Sequence, residues 1–89
     1  MPNIALPERL TIAEASVILA HLAEQVQGAE APVLDASALK YMDSSAVAVL
    51  LACQRQAKAL GRPLRVVGAP AKLMQLAQLY GVELLIGAG

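Results

Sequence analysis

Two short runs carry most of the side chains able to do chemistry: Asp35-Ala36-Ser37 and Asp43-Ser44-Ser45. Each combines a carboxylate with hydroxyls, and an apolar stretch from Ala46 to Cys53 follows the second. Asp and Ser favour helix starts because their oxygens accept hydrogen bonds from the free N–H groups of the first turn. The simplest reading of Asp43-Ser44-Ser45 is therefore a helix cap. The same geometry allows a sharper one. A phosphate on Ser44 would meet free N–H groups and the positive end of the helix dipole, which suits phosphorylation or partner docking. Asp35 and Asp43 lie at or beyond the end of a strand and could approach each other. Two carboxylates can exchange protons or hold a divalent ion. No third acidic residue is placed to help them, and no Gly-rich phosphate loop occurs. Their expected role is to fix the loop through bonds to its backbone.

The other reactive residues lead away from catalysis. Cys53 is the only cysteine, which excludes a disulfide framework and a Cys-based metal site. His21 is the only histidine, so a Ser-His-Asp triad or a His-rich metal site is hard to build. Seven basic and seven acidic residues give a net charge of zero, and the aromatics are two Tyr. Binding of nucleic acid by charge or stacking is disfavoured. The expectation is a protein with no catalytic residues, no cofactor and no metal.

The elements that position these runs can be read from periodicity. Eighty-nine residues make one domain, here residues 1–89. Apolar residues are 57% and charged residues 16%, which excludes disorder. Phe and Trp are absent, so the core must be Leu, Val, Ile and Ala. No basic segment followed by an apolar one opens the chain, and the longest apolar run is far below the roughly 20 residues of a membrane span. The expected compartment is the cytoplasm.

Ile4-Ala5-Leu6 reads as a short strand stopped by Pro7. Thr11 and Glu14 have capping-box spacing and open a helix. Its apolar stripe is Ile12, Ala15, Leu19, Leu22 and Val26, with His21 on the wet side and Gly28 at the end. Ala31 to Asp35 is a second strand. A second helix runs from about Ser44 to Leu60, with Ala46, Val49, Leu50, Cys53, Ala57 and Leu60 facing the core. Cys53 is thus a small buried hydrophobe. Leu64 to Val67 is a third strand. Pro70 starts a third helix with Leu73, Leu76, Ala77 and Tyr80 on its stripe, and Gly81 closes it. Val82 to Ile86 is a last strand and Gly87-Ala88-Gly89 a loose tail. Strand–helix alternation implies an α/β fold with a mostly parallel sheet.

The second helix has a further stripe. Ser44, Ala48, Leu51 and Arg55 follow at steps of four, three and four, beside the core-facing residues. This is either a helix wedged among its neighbours or a small apolar docking patch rimmed by Ser44 and Arg55.

Asp35-Ala36-Ser37, then Met42-Asp43-Ser44-Ser45 and an apolar helix, resembles a STAS domain, and the resemblance covers nearly the whole element order. It implies a small, mostly parallel sheet with helices packed chiefly on one face. The family includes anti-sigma factor antagonists and the small STAS subunit of the Mla phospholipid transporter. Ser44 matches the Ser or Thr that a partner kinase phosphorylates in the antagonists, and that lies where the Mla subunit meets its ABC ATPase. Ala46 stands where a Gly is usual. Leu6-Pro7-Glu8-Arg9-Leu10 and Leu76-Ala77-Gln78-Leu79-Tyr80-Gly81-Val82 resemble the Mla subunit. STAS domains usually begin with two strands, and here only Ile4 to Leu6 is expected; a sheet edge left uncovered invites pairing with another chain, as in a homodimer.

The resemblance thus implies a non-catalytic protein that supports an ABC ATPase of an Mla-type phospholipid transport system, peripheral to the inner membrane through that partner. The partner-binding residues would be Ser44, Ser45, Ala48, Leu51 and Arg55, with Asp35, Ser37 and Asp43 forming the motif loop. The alternatives are an anti-sigma factor antagonist switched by a kinase at Ser44, and a small-ligand or nucleotide-binding STAS module.

Overall fold

The computed structural model describes residues 3–82. The expected strand at Val82 to Ile86 lies, apart from Val82, outside the described residues, as does the Gly87-Ala88-Gly89 tail. Along the described chain the order is β1 (Ile4–Ala5), β2 (Arg9–Leu10), α1 (Ala15–Gln27), β3 (Val33–Asp35), β4 (Tyr41–Met42), α2 (Ser44–Ala59), β5 (Arg65–Val67) and α3 (Ala71–Leu79). Strands and helices alternate as the periodicity implies, and every described strand pairing is parallel.

The strands form two small sheets rather than one. β3 is the centre of a three-stranded sheet ordered β1-β3-β5, and β2 pairs with β4 alone. The β2–β4 pair was not legible in the sequence. Two residues on each side are too few to show a period of two. Contacts beyond the strand pairing itself stabilise it. The N–H groups of Lys40 and Tyr41 both donate to the Glu8 carbonyl, at 2.8 Å and 3.0 Å. The Arg9 guanidinium lies 4.6 Å from the centre of the Tyr41 ring. The expectation of a single strand before the first helix is therefore corrected: Arg9–Leu10 is a second.

The core is aliphatic, as a chain without Phe or Trp requires. Leu6, Leu10, Leu34, Leu50, Leu73 and Val26 are fully buried, each contributing about 1.5–3 kcal/mol on leaving water. α2 carries Ala46, Val47, Val49, Leu50, Cys53 and Ala57 into this core and packs against both α1 and α3. Gln56 Nε2 donates to the Ala23 carbonyl at 2.8 Å and ties α2 to α1. Burial raises the Cys53 thiol to about 11, so it stays protonated at neutral pH.

Three expected core residues are exposed. Ile12, Leu60 and Tyr80 are the end members of their stripes and stand 76%, 42% and 58% accessible. A helix stripe continues past the point where the neighbouring element ends, and its last members then face water. Ile12 has a second reason. Thr11 N and Oγ1 both donate to Glu14 Oε1, at 2.9 Å and 2.7 Å, as the capping-box spacing suggests. Yet residues 11–14 form a turn, and α1 begins only at Ala15. The two bonds from Thr11 lower the Glu14 pKa.

Candidate functional site

The parallel register of β2 and β4 builds the site. Arg9 lies opposite Tyr41 and Leu10 opposite Met42, so the next residues, Thr11 and Asp43, leave the pair side by side. Asp43 has an extended backbone and caps α2. Its Oδ1 accepts the Ser45 N–H at 2.8 Å, and its Oδ2 accepts the Ile12 N–H at 3.0 Å. One carboxylate thus holds the start of α2 and the turn before α1. The Ile12 N–H, then the Ser45 N–H, hold its pKa below the usual carboxylate range.

Asp35 ends β3 and makes a similar local bond, with Oδ1 accepting the Ser37 N–H at 2.9 Å. The Ser37 hydroxyl, then its N–H, lower the Asp35 pKa. Ala36 between them is fully buried, with its N–H on the Val67 carbonyl at 2.9 Å. Gly68 follows β5 and sits against this loop at φ +67°. A Cβ on Gly68 would stand 3.0 Å from Ser37 Cβ and 3.2 Å from Asp35 Oδ1. Nothing local to Gly68 in the sequence signals that it closes the motif loop, because the residues it meets are more than 30 positions away. Each carboxylate binds its own backbone N–H partners. Among the described residues no group of three or more His, Cys, Asp or Glu is placed to hold a metal ion.

Ser44, between the two bonded residues, is exposed. Its hydroxyl has no hydrogen-bond partner among the described residues. Ser44, Ala48 and Leu51 line a shallow groove of about 400 Å3 between α2 and the end of α3, with Tyr80 and Val82 as the facing wall. Ser45 and Ala48 border a second hollow, of about 420 Å3, whose other side carries Ile12 and Leu19. The two hollows meet at Ala48, so an apolar surface flanks the Ser44 hydroxyl on both sides. Ile12 and Tyr80, misplaced in the core by periodicity, are its outer edges. Arg55 is exposed but does not line the Ser44 groove. It lines a separate concavity further along α2, which shares only Leu51 and Val82 with the first.

A family model described as "Mlab, STAS domain" matches residues 1–87. The chain belongs to that STAS family. Among curated proteins none matches the sequence. A solved structure of the anti-sigma factor antagonist SpoIIAA in its unphosphorylated form superimposes with a TM-score of 0.74 at 18% identity, over 92% of this chain and 73% of that one. The likeness shows that the STAS fold is shared. Among the described residues, no helix of this STAS domain is long and apolar enough to cross a membrane.

Proposed function

We propose that this STAS domain, residues 1–89 as one unit, is a non-catalytic docking protein for the ABC ATPase of an Mla-type phospholipid transport system. It would sit in the cytoplasm, peripheral to the inner membrane through that partner. One observation carries the reading: an exposed Ser44 at the start of α2, with no hydrogen-bond partner among the described residues, flanked by apolar hollows that share Ala48. The match to an MlaB-type family model is what favours the transporter. Asp43 and Asp35 fix the loops around the docking helix. Binding there would stabilise one state of the ATPase and so shift its population.

The test is titration of the purified chain with the ATPase subunit. Leu51→Asp places a charge in the apolar wall of the groove, and a folded Leu51→Asp chain is expected to lose binding at least about tenfold. Ser44→Ala removes at most one hydrogen bond and is expected to cost about 0.5–1.5 kcal/mol. Wild-type affinity in a folded Leu51→Asp variant overturns the reading.

A second reading is favoured by the fold shared with SpoIIAA and by the exposed Ser44. In it the chain is an anti-sigma factor antagonist, switched by phosphorylation at Ser44. A kinase from the native host that modifies Ser44, with Ser44→Ala left permanently bound to an anti-sigma partner, would establish it over the transporter reading.

A further inference from the structure

We infer that the concavity at the C-terminal half of α2 takes an acidic segment of a partner protein that also carries apolar side chains. The inference rests on the docking reading of α2 and adds the chemistry of what docks there. Charge is divided along the chain. Residues 1–43 carry six acidic and two basic side chains, whereas residues 44–89 carry five basic and one acidic, Glu83. Three of those five, Arg55, Lys58 and Arg62, line one concavity of about 610 Å3.

The fold brings them together. Leu51, Arg55 and Lys58 are at i, i+4 and i+7 and share one face of α2. Arg62 comes from the turn after it. Its Nη1 donates to the Gln27 and Ala29 carbonyls at the end of α1, which fixes the cation at the rim. Arg55 and Lys58 are exposed and have no salt-bridge partner among the described residues. Leu51, Pro63 and Leu64 supply the apolar lining. Among the described residues no acidic side chain lines the concavity. An occupant that buries apolar side chains there must meet three cations, and carboxylates do so favourably. Nucleic acid fits less well, since among the described residues no aromatic side chain lines the concavity for a base to stack on. A membrane surface fits less well too, because the apolar residues lie in a hollow rather than on a protruding face.

The experiment uses the full chain and a labelled amphipathic peptide of Glu and Leu, with a Lys/Leu peptide of the same pattern as control. The Glu/Leu peptide is expected to bind and the Lys/Leu peptide not to. Arg55→Glu combined with Lys58→Glu should weaken binding roughly tenfold in a chain that stays folded, because both side chains are exposed. Raising salt from about 0.05 M to about 0.5 M should weaken it severalfold. Equal binding by the double variant or by the Lys/Leu peptide overturns the inference. So does capture of anionic lipid vesicles with the same residue dependence. Binding gained only after deletion of residues 83–89 overturns it as well, since the concavity then belongs to the chain's own end. ATPase capture measured in parallel separates the readings: no peptide binding by a chain that still captures the ATPase breaks this inference alone.

Discussion

Asp35-Ala36-Ser37 and Asp43-Ser44-Ser45 share a local geometry. In each, the Asp Oδ1 accepts the N–H of the Ser two residues on, at 2.9 Å and 2.8 Å. Their surroundings differ in every other respect. The first run ends a central strand, buries its middle residue and is closed over by Gly68. The second leaves a two-residue strand, presents its middle residue to solvent and starts a 16-residue helix. Asp43 also has a second partner, the Ile12 N–H, which Asp35 lacks. The tripeptide therefore encodes a turn, and the neighbouring strand decides whether that turn is a sealed part of the core or an open face.

The strongest way to break this comparison is to place a charge at each middle residue. Ala36→Asp buries a carboxylate without a partner and is expected to cost about 3 kcal/mol or more, enough to unfold a small domain. Ser44→Asp puts the same charge beside the free N–H groups of α2, where the helix dipole favours it by about 0.3–1 kcal/mol. Thermal melts of the two variants should differ widely. Equal melting temperatures would mean that the middle residues share one environment.

The next effect sharpens the role of Gly68. Gly68 and Gly61 have nearly the same backbone, at φ +67° and +68°, but only Gly68 has atoms within 4 Å of a built Cβ. Gly61→Ala should cost about 1 kcal/mol, from backbone strain alone. Gly68→Ala adds a contact with Ser37 and Asp35 and should cost about 1–3 kcal/mol. Denaturant titrations of the pair isolate the closing contact.

Asp43→Ala orphans two backbone N–H groups and Asp35→Ala one, so the fall in melting temperature should be roughly twofold larger for Asp43. The smallest effect is on pH dependence. Asp43 has a lowered pKa in the folded chain, so its contribution is present above the unfolded value of about 3.9 and is lost as pH falls through the folded one. The gap in melting temperature between wild type and Asp43→Asn should be widest near neutral pH and narrow below about pH 4. A gap that widens on acidification would show that the carboxylate is not held by these N–H donors.

Much of the fold was legible because its signals are local. The stripe of α2 placed Ala46, Leu50, Cys53 and Ala57 correctly, and Asp43 was readable as its cap, since both depend on residues within a few positions of each other. The site was legible only in part. The step of Ser44, Ala48 and Leu51 identified a face, but nothing local says that Tyr80 and Val82 stand across from it. The same pattern put Arg55 with Ser44, whereas the turn at Gly61 and Arg62 draws Arg55 into a different concavity.

The sequence by itself determined the three helices, the Asp43 cap of α2 and most of the aliphatic core, because each follows from side-chain period and from hydrogen bonds that close within one turn. Only the tertiary structure decided the β2–β4 pair, the Asp43–Ile12 bond, the closure of Gly68 on Asp35-Ala36-Ser37, and the exposure of Ile12 and Tyr80. Each of these depends on segments distant in the chain, and two-residue strands or helix ends carry too few side chains to reveal a partner before the chain has folded.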